Sequence, residues 1–100
     1  MIEIYGVPAD IFRCPGCISA LNWVNHYKLE YKFHPILRRA DTKLGFEYNR
    51  QTIEMMRIRA GKARAPTRYP QIFIDGKYIG GFKSLQEATS DRTGRTKGDI

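Results

Sequence analysis

The sequence predicts an α/β domain, because an apolar strand, a helix opening on a cysteine pair and a second strand follow one another within residues 1–35. A second observation is the apolar segment Gln71 to Ile74, led by Pro70 and turned by Asp75-Gly76 into another strand. At 100 residues and 42% hydrophobic content the chain can build one core and has little left for another. The expectation is one domain over residues 1–91, followed by a flexible basic tail, 92–100.

Ile2 to Tyr5 alternates around Glu3 as a strand does, and Gly6, Pro8 and Asp10 then break the pattern into a loop. From Pro15 the apolar residues Ile18, Leu21 and Trp23-Val24 fit a helix, and proline suits its first position because no partner is needed for an N–H there. His26 and Lys28 complement the carbonyl end of that helix. Glu30 to His34 reads as the second strand, ended by Pro35. After a polar stretch from Arg38 to Gly45, the residues Phe46, Ile53, Met56 and Ala60 recur at near-helical spacing, with Gly61 as a stop. Met55 and Met56 are expected to fill the core. Gly80-Gly81 closes the last strand, and Ser84 is expected to cap a final helix reaching Ala88, with Leu85 and Ala88 on one face.

The net charge of +7 is concentrated in the middle of the chain, at Arg38, Arg39, Lys43, Arg50, Arg57, Arg59, Lys62, Arg64 and Arg68. A nucleic acid, an acidic partner protein or a small anion would suit such a stretch, and so would a solvated helix face. No apolar run approaches the roughly 18 residues of a membrane span, and the start MIEIYG is unlike a secretory signal. A cytoplasmic location is therefore expected.

Cys14 and Cys17 are the only cysteines, three apart at the predicted start of a helix. In a reducing compartment such a pair is rarely a permanent staple, which leaves a working dithiol or a metal site. Zinc is disfavoured: His26 and His34 stand eight residues apart, wider than the usual finger spacing. For thiol exchange the attacking species is the thiolate. Cys14, near the N-cap beside Arg13, would face unpaired N–H groups and the positive end of the helix dipole. Cys17, nearly one turn deeper, would be the less exposed partner. Pro15 fixes the backbone between them, and Gly16 is expected either to open the rim of the site or to be simply tolerated there.

Three separated motifs in order, Cys14-Pro15-Gly16-Cys17, Tyr69-Pro70-Gln71-Ile72-Phe73-Ile74-Asp75-Gly76 and Ile79-Gly80-Gly81-Phe82, resemble those of the glutaredoxins. The opening Ile4-Tyr5-Gly6 and the short loop to Cys14 look most like small bacteriophage members, some called phage thioredoxins. The resemblance spans roughly residues 1–90 and implies the thioredoxin fold, a four-stranded mixed sheet flanked by about three helices. It further implies a cis bond at Tyr69-Pro70 facing Cys14 and a thiol:disulfide oxidoreductase with Cys14 and Cys17 as catalytic residues. Arg13, Pro15, Gly16 and Pro70 would support the site. Arg68, Tyr69, Gly81, Phe82 and Lys83 would line the place of glutathione or another substrate. The implied partners are glutathione, acting as cosubstrate with no cofactor bound, and a disulfide-bearing protein, ribonucleotide reductase being the one the phage-type resemblance suggests. The implied state is a monomer in the host cytoplasm.

Two positions depart from the pattern. Gly16 stands where tyrosine is common, and Lys83 replaces an acidic residue that commonly helps hold glutathione's amino group. An alternative is thus a thioredoxin-like carrier reduced by a flavoprotein reductase. A module binding nucleic acid or an acidic protein through the basic middle ranks last. A cluster shared between two chains is disfavoured by Pro15 in the family's pattern.

Overall fold

The computed structural model describes residues 1–91; the expected tail over 92–100 lies outside them. Three helices and six strands follow in the order β1 (Ile2–Gly6), α1 (Pro15–His26), β2 (Tyr31–Pro35), β3 (Leu37–Arg39), β4 (Phe46–Tyr48), α2 (Arg50–Arg59), β5 (Gln71–Ile74), β6 (Lys77–Gly80) and α3 (Phe82–Ala88). The main sheet has four strands in the order β2-β1-β5-β6. β1 and β2 run parallel, in register Ile4↔Phe33, as the intervening helix requires. β1–β5 and β5–β6 are antiparallel, so the sheet is mixed.

Strand alternation decides which helix each residue meets. Ile2, Ile4 and Ile72 pack with Ala20 and Val24 of α1 and Leu85 of α3. Their neighbours Tyr5 and Phe73 join Met56 of α2, Ile36 and Leu37 in a second cluster. Helices α1 and α3 therefore cover one face and α2 the other. On α1 the buried stripe is Cys17, Ala20 and Val24, the three-then-four spacing of a helix face. This stripe carries Cys17 into the core.

The segment predicted to begin a helix at Phe46 is different. Leu37–Arg39 and Phe46–Tyr48 form a separate antiparallel hairpin, and α2 starts only at Arg50. Phe46 is seven residues before Ile53 and so mimics a helical repeat, but the strands are too short for their alternation to stand out. Arg38 and Glu47, paired in register, form an ion pair at 2.6 Å, and Asn49 N–H donates to the Ile36 carbonyl at 2.7 Å where the hairpin ends. Gly61, at φ +70°, stops α2 as expected.

Other expectations need smaller corrections. β2 is displaced by one residue and includes Pro35. Met56 is buried, but Met55 is 56% exposed. Gly81, not Ser84, occupies the N-cap of α3, and Thr89 is buried where Ala88 was expected, with its hydroxyl donating to the Leu85 carbonyl and accepting from Trp23 Nε1. The Asp75-Gly76 turn is as predicted, with both residues at positive φ.

Several basic residues are fastened to the fold instead of lining a free face. Arg59 bonds both Glu3 oxygens at 3.0 and 2.8 Å and the Tyr5 hydroxyl at 2.7 Å, while its guanidinium lies 4.4 Å from the Phe73 ring centre. Arg57 is paired with Glu54, Arg39 with Asp10, and the Lys62 ammonium sits over Tyr78.

Candidate dithiol active site

Cys14 is the N-cap of α1 and Pro15 its first residue. Both cysteines are free thiols. The Cys14 sulfur accepts the Cys17 backbone N–H at 3.4 Å, so one unpaired donor of the helix start is aimed at it. Its own S–H points to the Tyr69 carbonyl at 3.7 Å. Cys14 remains partly exposed, whereas Cys17 is fully buried. Burial pushes the Cys17 thiol up to about 12, the hydrogen bond and charge of Cys14 push the same way, and the Val7 N–H, 3.4 Å from the sulfur, opposes them.

The Tyr69-Pro70 bond is cis. It brings the entry to β5 against the start of α1, and the contact is made through Gly16. A Cβ on Gly16 would lie 3.0 Å from Pro70 Cδ and 3.3 Å from the Tyr69 carbonyl oxygen. The missing side chain of Gly16 lets helix and loop meet. Gly81 adjoins the same loop, since a Cβ there would stand 3.8 Å from the Pro70 carbonyl.

The remaining predicted residues divide. Arg13, Arg68 and Lys83 are exposed and make no ion pair among the described residues. Arg68 offers its carbonyl inward, to Gln71 Nε2 at 2.7 Å. The ring of Phe82 is committed to packing, edge-on to Trp23 at 6.0 Å and against the α1–α3 core. Tyr69 is half-buried against the other core cluster, and burial, then the nearby Tyr48 and Cys17, raises its hydroxyl above the ordinary range. His26 is exposed at the end of α1, and His34 stacks on Tyr5 and bonds Glu3 at 3.1 Å. Among the described residues no three His, Cys, Asp or Glu side chains gather as a metal site.

Gly6 and Val7 were not foreseen. A Cβ on Gly6 would lie 3.1 Å from the Cys17 sulfur and 3.3 Å from the Phe33 ring. A glycine closing an apolar strand just before the cysteine loop is a signal of such close approach; the Val7 amide leaves no trace in side-chain chemistry.

A cysteine pair with one partly exposed and one buried sulfur, at the junction of a helix start and a cis-proline loop on this mixed sheet, is the arrangement of the glutaredoxin fold. Solved structures agree. Glutaredoxin 1 from Francisella tularensis, complexed with cacodylate, is 23% identical over 91% of this chain and 92% of that one, at a TM-score of 0.56. A buckwheat glutaredoxin–glutathione complex is 17% identical over 92% and 70%, at 0.57. A dithiolic glutaredoxin from Trypanosoma brucei brucei is 22% identical over 98% and 84%, at 0.56. No protein-family model matches the chain. An uncharacterised 11.8 kDa protein from the Gp55-nrdG intergenic region of enterobacteria phage T4 is 34% identical over 87 residues, 86% of this chain and 81% of its own length. The chain belongs to one family with this phage protein and has the glutaredoxin fold. Among the described residues no helix is long and apolar enough to cross a membrane.

Proposed function

We propose that this protein is a thiol:disulfide oxidoreductase in which Cys14 attacks and Cys17 resolves. The observation that carries the reading is the asymmetry of the pair: a partly exposed sulfur receiving a helix-start N–H, backed by a buried one. The Cys14 thiolate attacks one sulfur of a substrate disulfide; that S–S bond breaks, and the departing thiolate takes a proton from water. Cys17 then loses its proton to water and attacks the Cys14 sulfur; the Cys14–substrate S–S bond breaks, the Cys14–Cys17 disulfide forms, and the second substrate sulfur leaves as a thiolate that is protonated by water. The substrate gains two electrons and the protein loses two. Mixed-disulfide formation removes the Cys14 contributions that hold the Cys17 proton, leaving burial opposed by the Val7 N–H.

Two glutathione thiols would return the protein to its dithiol form, themselves oxidised to glutathione disulfide. The cis-proline loop at Tyr69-Pro70 offers backbone next to Cys14, while Arg13, Arg68, Lys83 and the backbone at Gly81-Phe82 supply groups suited to the tripeptide's carboxylates. Disulfide-bearing proteins, ribonucleotide reductase among them, would be the substrates, and electron transport in the cytoplasm by a monomer would be the role. A second reading has specific support: Lys83 is exposed where the family pattern is acidic, which suits a thioredoxin-like carrier reduced by a flavoprotein reductase. A binding module for nucleic acid falls behind, because Arg38, Arg39, Arg57 and Arg59 spend their charge on carboxylates of the fold.

Turnover of a glutathione mixed disulfide, driven by glutathione with glutathione reductase and separately by thioredoxin reductase, tests this. Turnover with glutathione is expected; turnover with thioredoxin reductase alone would favour the carrier, and none with either would refute the oxidoreductase.

A further inference from the structure

A cleft of about 660 Å³ opens beside the dithiol, on the side of the β3–β4 hairpin. Its floor is apolar, with Val7, Ile36, Leu37 and Ile53, and two aromatic side chains stand at it largely uncovered, Phe12 at 61% and Tyr48 at 55% exposure. Neither cysteine lines it, but two of its lining residues tie it to the dithiol. Phe12 lies two residues before Cys14, and Tyr69, which also lines the cleft, accepts the Cys14 S–H.

Of the two charged residues that line the cleft, Arg50 is the one without an ion pair among the described residues, and further arginines neighbour the lining in sequence. Arg64 and Arg68 bracket the lining segment 65–67, and Arg13 adjoins Phe12; none of these three has an ion pair among the described residues. Glu54, the carboxylate in the lining, is held by Arg57. An apolar floor with exposed aromatics and unneutralised cations calls for an occupant with both a bulky apolar side chain and negative charge. Glutathione has carboxylates but no such side chain.

We propose that this cleft docks an acidic polypeptide segment bearing an aromatic or large aliphatic residue, next to the disulfide of a protein substrate. The inference rests on the oxidoreductase reading and names its preferred substrate class. Arg50 would pair with a substrate carboxylate, and the apolar side chain would enter between Tyr48 and Phe12. Docking would present the adjoining disulfide to Cys14.

The test compares three substrates: a synthetic disulfide-bridged peptide flanked by Asp, Glu and one Phe, the same peptide with Lys for each acid, and bis(2-hydroxyethyl) disulfide. Wild type is set against Arg50→Glu and Tyr48→Ser. Both sites are exposed, and a glutamate in the first turn of α2 suits the helix dipole, so both variants should fold. Wild type is expected to reduce the acidic peptide about tenfold more efficiently than the basic one, through KM. Arg50→Glu should reverse that preference, Tyr48→Ser should weaken both peptides, and the small disulfide should be turned over equally by all three proteins. Equal use of the two peptides by wild type, or an unchanged preference in Arg50→Glu, would overturn the proposal. If wild type reduces none of the three, the oxidoreductase reading fails, and the cleft is judged by fluorescence titration with the acidic peptide carrying Ser for Cys. Binding lost in Arg50→Glu then supports the docking site, and absence of binding overturns it.

Discussion

Gly16 and Pro70 stand so close that a Cβ on the glycine would lie 3.0 Å from the proline Cδ. The helix that carries the dithiol and the loop that faces it are in contact at a place where only hydrogen fits comfortably. The Cys14 S–H points to the Tyr69 carbonyl at 3.7 Å across the same junction.

Replacing Gly16 with Ala should therefore cost stability, even though alanine is the better helix former. A methyl forced against a proline ring and a backbone carbonyl resembles overpacking, for which about 1–3 kcal/mol is typical. Urea denaturation of Gly16→Ala against wild type measures it. A neutral or stabilised variant would mean that the loop yields freely and that the contact does not fix the site.

The two thiols should differ sharply toward an alkylating agent. Cys17 is fully buried and its thiol is pushed up to about 12, so it stays protonated and shielded in mildly alkaline solution. Brief iodoacetamide treatment of the reduced protein near pH ~8, followed by peptide mapping, should label Cys14 alone, with Cys17 labelled only after denaturation. Equal labelling in the native protein would show Cys17 to be accessible.

Acid should attack the fold through Glu3. Hydrogen bonds from Arg59 lower this carboxyl from an ordinary 4.5 to about 2 against the opposing effect of burial, with His34 helping. A carboxyl lowered in the folded state contributes stability that is fully present above its unfolded value and lost as pH falls through its folded one. Denaturation midpoints should thus decline between about pH 4.5 and 2. In Glu3→Gln that part of the decline should disappear. Removing Arg59 instead, as in Arg59→Leu, strands a partly buried carboxylate and should destabilise the protein at neutral pH.

The dithiol, the cis-proline strand and the glycine pair were readable because each is a local string whose chemistry depends on spacing. Cys17's lower exposure was readable from its place nearly one turn into the helix, but the stripe that buries it, Cys17, Ala20 and Val24, was not: the apolar residues Ile18, Leu21 and Trp23 had pointed to a neighbouring face. The β3–β4 hairpin was not readable either. Its strands have three residues each, two of them exposed arginines in β3, and Phe46 falls in phase with the following helix. Nor did the sequence separate fastened arginines from free ones, since Arg59 finds Glu3 56 residues away, across the fold. The role of Gly16 was hidden for the same reason: what it touches is Pro70, and only the folded chain brings the two together.

Trapping decides whether Cys14 attacks and Cys17 resolves. Cys17→Ser protein is incubated with glutathione disulfide and, separately, with a disulfide-bridged peptide, and the adducts are mapped by mass spectrometry. A stable mixed disulfide on Cys14 is expected in Cys17→Ser, with none accumulating in wild type and no thiol transfer by Cys14→Ser. Thiol transfer retained by Cys14→Ser, or no adduct on Cys14 in Cys17→Ser, would contradict the assignment.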